Sequence, residues 1–192
     1  MLEVTEIYKS IQGESTYMGL PCVFVRLTGC NLRCIWCDTP HSFYDGKKLS
    51  IDQILDQVMS YGIDLGEITG GEPLLQNEVF PLMTSFIDNN FRVMLETSGS
   101  ISIKDVPKEV VKIIDFKCPS SGEENKNLWD NLNHLASRDE IKFVIADRND
   151  YEWSKKALQK YSLKKQVLFS PVFEKLKLRD LTEWILEDNL QV

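Results

Sequence analysis

Six short apolar runs, separated by amphipathic stretches, constrain the fold of this 192-residue chain more than any other feature. Strands that alternate with helices at such a spacing build parallel β-α-β units. Six strands are too few for a closed eight-stranded barrel, so we expect an α/β fold that is a partial, incomplete parallel β/α barrel. The predicted strands are 22–28, 66–69, 92–97, 111–117, 140–146 and 166–170, and the predicted helices are 50–61, 76–90, 124–136, 150–161 and 178–187.

The start of the chain refines this pattern. Residues 1–10 are expected to add a strand before the repeat begins, and Ser50 is expected to cap the first predicted helix. The length suits a single domain over residues 1–192 with a sizeable core.

Three of the five cysteines lie close together, at Cys30, Cys34 and Cys37. The run is too short for a disulfide framework, and it lacks the second Cys/His pair of a tetrahedral structural zinc site. Thiolates are the usual ligands of iron–sulfur clusters, so three on one loop favour a four-iron cluster with one iron open to a small molecule. Two alternatives stay open: a zinc site completed by a distant residue such as His41, and chance clustering of core cysteines.

Charge and hydropathy exclude several classes of partner. The net charge is −7 and no block of Lys and Arg is present, so binding to nucleic-acid phosphates is not expected. No apolar run approaches the length of a membrane span, and the first residues lack the pattern of a secretory signal. Free clustered cysteines favour a reducing, cytoplasmic location.

Charged residues stand late in several predicted strands, at Arg26, Glu96, Asp115, Lys117 and Lys142. Buried charges are costly unless they are paired. We therefore expect these side chains to meet at one mouth, where the carboxyl ends of the strands gather. For any single residue, exposure to solvent is the alternative.

Two turns after predicted strands suit ligand binding. The first reads Thr69-Gly-Gly-Glu-Pro73, where two glycines allow a ligand to approach the backbone closely. The second reads Glu96-Thr-Ser-Gly99. Taken alone, the first could also be an ordinary turn.

Together with the cysteine run, these turns resemble the radical S-adenosylmethionine (SAM) superfamily. Within it, the chain resembles the 7-carboxy-7-deazaguanine synthase family through Ser10-Ile-Gln-Gly-Glu14, Arg26, Cys37-Asp-Thr39 and the Asp115–Gly122 segment. The resemblance implies a 4Fe–4S cluster, SAM and Mg²⁺ as cofactors. It also implies the ring contraction of 6-carboxy-5,6,7,8-tetrahydropterin to 7-carboxy-7-deazaguanine with loss of ammonia, a step of queuosine and 7-deazapurine biosynthesis.

The resemblance also implies residue roles. No catalytic side chain is assigned, because the cluster and SAM generate the radical. Arg26 suits a bidentate grip on a carboxylate, and Mg²⁺ takes few protein ligands. The expected ligands are Cys30, Cys34 and Cys37 for the cluster, Thr39 for Mg²⁺, Trp36, Gly70, Gly71, Glu72, Ser98 and Lys117 for SAM, and Gln12, Gly13, Glu14, Arg26 and Thr69 for the pterin.

Partners and alternatives complete the expectation. The resemblance implies an electron donor such as flavodoxin or ferredoxin, and a homodimer. A glycyl-radical-enzyme activase is the alternative, against which Arg26 and the Gln12-Gly-Glu14 segment favour a small anionic substrate. A non-enzymatic metal module is a third reading. Cys22 and Cys118 are expected to be packed free thiols.

Overall fold

The computed structural model describes residues 1–163 and 165–192, which contain one eight-stranded sheet and four α-helices. The strands are β1 (Leu2–Ile11), β2 (Pro21–Leu27), β3 (Lys47–Leu49), β4 (Leu65–Gly70), β5 (Arg92–Thr97), β6 (Val111–Phe116), β7 (Glu140–Ile145) and β8 (Gln166–Pro171). The helices are α1 (Ile51–Met59), α2 (Val79–Asp88), α3 (Arg148–Lys160) and α4 (Leu178–Glu187).

The sheet is open and mostly parallel, in the order β3-β1-β2-β4-β5-β6-β7-β8. The strands β2 and β4 to β8 pair in parallel, and they match the six predicted strands to within one residue at each end. The prediction of an incomplete parallel barrel is therefore confirmed. The strand expected at the start of the chain is β1, which pairs antiparallel with β2 and with the short β3, a strand that was not predicted.

The two faces of the sheet bury different residues. On β2, Val23, Val25 and Leu27 join the large core beneath the helices, while Cys22 and Phe24 join a smaller cluster on the other face. Successive side chains of a strand point to opposite faces, so Arg26 shares the face of Phe24. That inner face carries the candidate site at its carboxyl end.

Four of the five predicted helices form. At the start of α1, the Ser50 hydroxyl accepts a hydrogen bond from the Gln53 amide, and the Gln53 side chain accepts one from the Ser50 amide. This reciprocal capping box satisfies two backbone amides that have no acceptor within the helix. It confirms the prediction that Ser50 caps this helix. None of the helices in the described ranges is long and apolar enough to cross a bilayer. The single-domain assignment stays a prediction.

The helix predicted over 124–136 is wrong, because this segment forms two 3-10 turns, at Glu124–Lys126 and Trp129–His134. Two asparagines explain the difference. Asn127 bonds the backbone amide and carbonyl of Lys117, and Asn131 bonds the backbone of Gly99, Ile101 and Ile103. Side-chain bonds of this kind hold the backbone in a shape other than the α-helix.

Candidate functional site

A cavity of about 650 Å³ opens at the carboxyl ends of the parallel strands. Its size is ordinary for a small-molecule site. The expected mouth of charged residues is present there, since Arg26, Glu96, Asp115, Lys117 and Lys142 all line it. Of the predicted ligands, those that line it are Gln12, Gly13, Glu14, Arg26, Cys30, Cys34, Trp36, Cys37, Thr39, Thr69, Gly70, Gly71, Ser98 and Lys117.

The cluster loop, residues 30–37, is docked on the turn formed by residues 118–123. The Ile35 amide donates to the Ser121 carbonyl at 3.0 Å, and the Arg33 amide donates to the Glu123 carboxylate at 2.6 Å. The Trp36 indole donates to the Ser120 hydroxyl at 3.1 Å. The last of these bonds fixes the orientation of the Trp36 ring, which lies just before the last cysteine of the motif.

The Ser120 hydroxyl is itself held by α3. It donates to the Asp150 carboxylate, which also accepts from the Ser120 and Ala146 amides at 3.0 and 2.9 Å. Asp150 is fully buried. Trp36 is therefore positioned by a chain of two polar side chains that ends in the core.

The three cysteine thiols suit an iron–sulfur cluster. Burial raises the pKa of Cys34 to about 11 and also raises the pKa of Cys30, so a metal must displace their protons on binding. Within residues 1–163 and 165–192, no three His, Cys, Asp or Glu side chains gather around a point that would hold a single ion. A cluster needs no such point, because each thiolate binds a different iron. Three thiols on one loop at the cavity fit the donor set of a four-iron cluster.

The glycine turn packs directly against the start of the cluster loop. A Cβ atom at Gly71 would lie 2.2 Å from the Gly29 carbonyl oxygen and 2.8 Å from the Cys30 Cβ. A Cβ at Gly70 would lie 2.5 Å from the Leu27 carbonyl oxygen. Only glycine permits this approach, which leaves the backbone of the turn facing the cavity.

Glu72 is the predicted ligand that does not line the cavity. It is fully buried, and its carboxylate accepts hydrogen bonds from the Leu74 amide at 3.0 Å, the Thr97 hydroxyl at 2.8 Å and the Ser98 amide at 2.8 Å. The Ser98 hydroxyl also donates to it. In this structure Glu72 therefore joins the two predicted turns, and the Ser98 hydroxyl, which donates to Glu72, also contacts the Ser100 hydroxyl at 2.8 Å.

Arg26 is held from three sides. Its Nε donates to Glu6 at 2.8 Å, and its terminal nitrogens reach the Gly70 carbonyl and the Tyr8 hydroxyl, each at 3.3 Å. A guanidinium has five N–H donors, so two remain after these bonds. Glu6 is partly exposed and was not singled out from the sequence. It fixes the direction in which the two free donors of Arg26 point.

The 12–16 segment contains three of the five predicted pterin ligands, and it is held by β7. Lys142 forms an ion pair with Glu14 and a second with Glu96 at 2.7 Å. Burial raises the pKa of Glu14 and outweighs Lys142. At Glu96 burial also acts to raise the pKa, but the cations Lys142, Lys117 and Arg26 together outweigh it and the pKa is lowered. Lys142 and Glu96 were predicted to lie at the mouth but not to bind a ligand.

A third ion pair lies at the carboxyl end of β6. Lys117 contacts Asp115 at 2.7 Å and lies 5.8 Å from the centre of the Trp36 ring. Burial alone would lower the pKa of Lys117, but Asp115 and Cys34 together outweigh it and the pKa is raised. The lysine expected near SAM is therefore a cation held beside Trp36 at the cavity.

Glu67 is a site residue that the sequence reasoning missed. It is buried on β4, and its carboxylate accepts a hydrogen bond from the Gln12 side chain. Burial, with the nearby charge of Glu96, raises its pKa to about 8. The available signal was its position two residues before Thr69, which puts both on the inner face of the strand.

The end of the sheet and the other two cysteines complete the description. Ser170, Pro171, Phe173 and Lys175 line the cavity, and none of them was assigned to a ligand from the sequence. Cys22 and Cys118 are fully buried away from the cavity, in agreement with packed thiols, and burial raises the pKa of both. Thr39 lines the cavity with its hydroxyl 3.9 Å from the Cys37 sulfur.

Comparisons with known proteins agree with this geometry. The profile of the family described as Radical SAM superfamily matches residues 24–173. A 7-carboxy-7-deazaguanine synthase of Koribacter versatilis is 46% identical, with 100% of this chain and 92% of the relative covered. A protein of the same name from Chlorobaculum tepidum is 40% identical, with 100% and 89% covered. The crystal structure of QueE from Escherichia coli is similar in fold, with a TM-score of 0.75, 23% identity, and 99% and 92% of the two chains covered.

Proposed function

The chain belongs to the radical SAM superfamily and to its 7-carboxy-7-deazaguanine synthase family, and from that premise we propose how its cavity carries out the reaction. It is a radical SAM enzyme that contracts the ring of 6-carboxy-5,6,7,8-tetrahydropterin to 7-carboxy-7-deazaguanine, with loss of ammonia, in queuosine and 7-deazapurine biosynthesis. The family carries a 4Fe–4S cluster and uses SAM.

One observation carries the assignment of roles. The same cavity brings the three cysteine thiols together with an arginine and a row of carboxylates on the far strands. Thiols alone would suit any member of the superfamily. The polar groups opposite them favour a small ligand with a carboxylate and many N–H donors, which describes a carboxylated pterin.

On the cluster side, Cys30, Cys34 and Cys37 are proposed to hold the cluster. When bound, the cluster and SAM supply a carbon radical that removes a hydrogen atom from the substrate. The backbone of Gly70 and Gly71 is proposed to bind the polar end of SAM. Ser98, Trp36 and Lys117 would contact the rest of SAM, and Glu72 would act by holding Ser98 in place.

On the substrate side, the two free donors of Arg26 are proposed to grip the pterin carboxylate, and Thr69 would contact the same ligand. The carbonyl and amide groups of Gln12, Gly13 and Glu14 would bind the polar edge of the ring. Thr39 is proposed to hold Mg²⁺ together with substrate oxygens and water. This agrees with the preference of Mg²⁺ for few protein ligands, and with a hydroxyl placed between the cluster loop and the cavity.

Two partners are proposed from the family alone. A small redox protein such as flavodoxin or ferredoxin would supply the electron, and a second copy of this chain would form a homodimer. Sedimentation at micromolar concentration would report a particle of twice the 22.1 kDa of one chain. A lone 22.1 kDa species would contradict the dimer without affecting the proposed reaction.

Turnover by the reconstituted protein tests the function. The protein is loaded anaerobically with iron and sulfide and incubated with SAM, dithionite and 6-carboxytetrahydropterin, and products are identified by mass. We expect 7-carboxy-7-deazaguanine without any partner protein. Formation of 5′-deoxyadenosine with the pterin unchanged would contradict the assigned substrate and favour an enzyme that acts on another protein.

A further inference from the structure

Three charged side chains form a row across the mouth of the cavity, with Lys142 in the middle. Its ammonium group lies 2.7 Å from the Glu96 carboxylate on β5 and pairs on its other side with Glu14 of the 12–16 segment. The Lys142 side chain is only 8% exposed, while that of Glu14 is 51% exposed. The row presents an acceptor, a donor and a second acceptor in sequence.

The ammonium group of Lys142 has one donor to spare. An ammonium carries three N–H donors. Among the described residues, Lys142 uses two of them, on Glu14 and Glu96. Because Lys142 lines the cavity, the third donor is available to an acceptor atom of a bound ligand. A buried donor without a partner is costly, which favours a ligand that supplies one.

The charge of Lys142 is fixed by its surroundings. Burial alone would lower the pKa of Lys142, but the carboxylates of Glu96, Asp115 and Glu14 raise it well above its usual value. The other charged groups around the row are Glu67 on β4, Lys117 just after β6, Arg26 on β2 and Glu140 on β7. Lys142 therefore remains a cation and a donor over the working pH range.

We propose that Lys142 determines specificity for the pterin ring by donating its third hydrogen to the ring carbonyl oxygen. Glu14 and Glu96 then accept the ring N–H groups on either side of that oxygen. A 5,6,7,8-tetrahydropterin offers this pattern, because its carbonyl at C4 lies between the N–H groups at N3 and N5. The inference rests on the proposed function, and it adds a binding residue to it.

Glu140 provides a matched control on the same strand, two residues from Lys142. Its Oε1 accepts hydrogen bonds from the Ser15 hydroxyl at 3.3 Å, from the Thr16 amide at 3.1 Å and from the Thr16 hydroxyl. It therefore anchors the same 12–16 segment as Lys142 but does not line the cavity. A variant at Glu140 loosens the segment without removing the donor from the mouth.

The experiment compares two ligands in four proteins. Dissociation constants of 6-carboxytetrahydropterin and of its 4-thioxo analogue, in which sulfur, a weak acceptor, replaces the carbonyl oxygen and the N3 hydrogen is retained, are measured anaerobically with the SAM-loaded protein. The wild type should prefer the carbonyl form by roughly 10- to 100-fold, the size of one hydrogen bond to a charged group. Lys142→Met should lose this preference, Lys142→Arg should keep most of it, and Glu140→Gln should keep it even if both ligands bind more weakly.

Each outcome bears on one claim. If the wild type turns over the pterin but Lys142→Met still prefers the carbonyl form, the inference is wrong and the proposed function stands. Equal loss of preference in Lys142→Met and Glu140→Gln would also overturn it, because Lys142 would then act only by holding the segment. If the wild type binds neither ligand and forms no product, both the proposed function and the inference fail. Circular dichroism of each variant confirms that it is folded.

Discussion

The cluster loop and the 12–16 segment close the same cavity from opposite sides, but different interactions hold them. The cluster loop is docked mainly through hydrogen bonds of its backbone amides to Ser121 and Glu123 and of the Trp36 indole to Ser120, and its start packs closely against Gly71. The 12–16 segment is docked on β7 mainly through two charged side chains, Glu140 and Lys142. The side that must hold an oxidation-sensitive group is thus built from close packing, and the side that must read a polar ligand is built from charge.

This difference determines how each side responds to change. Close packing against backbone tolerates no added atom, whereas an ionic contact depends on the protonation of its members. Substitutions on the cluster side should therefore act on cluster content and folding. Substitutions on the 12–16 side should act on substrate binding and on pH dependence.

The largest effect is expected from removing a cluster ligand. Cys34→Ala should abolish both 5′-deoxyadenosine and pterin product, because a cluster held by two thiolates is not retained. Iron and sulfide content after reconstitution checks this, with Cys22→Ala as the matched control, because Cys22 is a buried thiol away from the cavity. Normal cluster content in Cys34→Ala would contradict the assignment of the cysteine run.

Two glycines test the packing difference directly. Gly71→Ala should destabilise the protein by about 1–3 kcal/mol and reduce cluster content, because its Cβ meets the Gly29 backbone. Gly13→Ala, on the other side, meets nothing within 4 Å and should leave the free energy of unfolding unchanged. Denaturant unfolding of both variants makes the comparison, and equal effects would show that the two sides are packed alike.

The charged side should respond to pH through Glu67. Its pKa is about 8 in the folded protein and 4.5 in the reference state, so the folded state holds the extra proton between these values. Stability from this group is present at low pH and is lost as the pH rises from about 4.5 to 8, by at most about 1.4 kcal/mol per pH unit. Glu67→Gln should remove this loss. If the free energies of unfolding of the wild type and of Glu67→Gln change in parallel with pH across that range, the raised pKa of Glu67 is contradicted.

The smallest effect is expected at the hydroxyl that positions Trp36. Ser120→Ala removes one hydrogen bond to Trp36 and one to Asp150, and it should cost about 1 kcal/mol of stability because Asp150 keeps the Ser120 and Ala146 amides as donors. SAM should bind more weakly while the preference among pterins is unchanged. A change in pterin preference with unaltered SAM affinity would contradict the assignment of SAM to the cluster side and of the pterin to the 12–16 side.

The sequence predicts the cluster side well because its residues are neighbours in the chain. Cys30, Cys34 and Cys37 lie on one short loop after a predicted strand. Gly70 and Gly71 follow the next predicted strand, and the carboxyl ends of neighbouring parallel strands lie at the same edge of the sheet. The strands were predictable for a similar reason, since each is a short apolar run. The helix over 124–136 does not form, because asparagine side chains bond distant backbone there, and the short β3 was not predicted.

The charged side could not be derived in the same way. Lys142 and Glu14 are 128 residues apart, and Lys142 and Glu96 are 46 apart, so no local spacing indicates the pairs. The alternation of β7 predicts only that Lys142 faces the mouth. Which carboxylates it meets depends on the strand order, and the burial that sets the pKa of Glu67 depends on the completed sheet.

Arg26→Ala tests most directly the claim that one cavity joins two separately built sides. Wild type and variant are reconstituted and assayed anaerobically with SAM, dithionite and 6-carboxytetrahydropterin, and 5′-deoxyadenosine and 7-carboxy-7-deazaguanine are measured in the same samples. We predict normal cluster content and continued 5′-deoxyadenosine formation in the variant, with product lost. Loss of the cluster together with the product would contradict the account, because Arg26 would then support the cluster side as well.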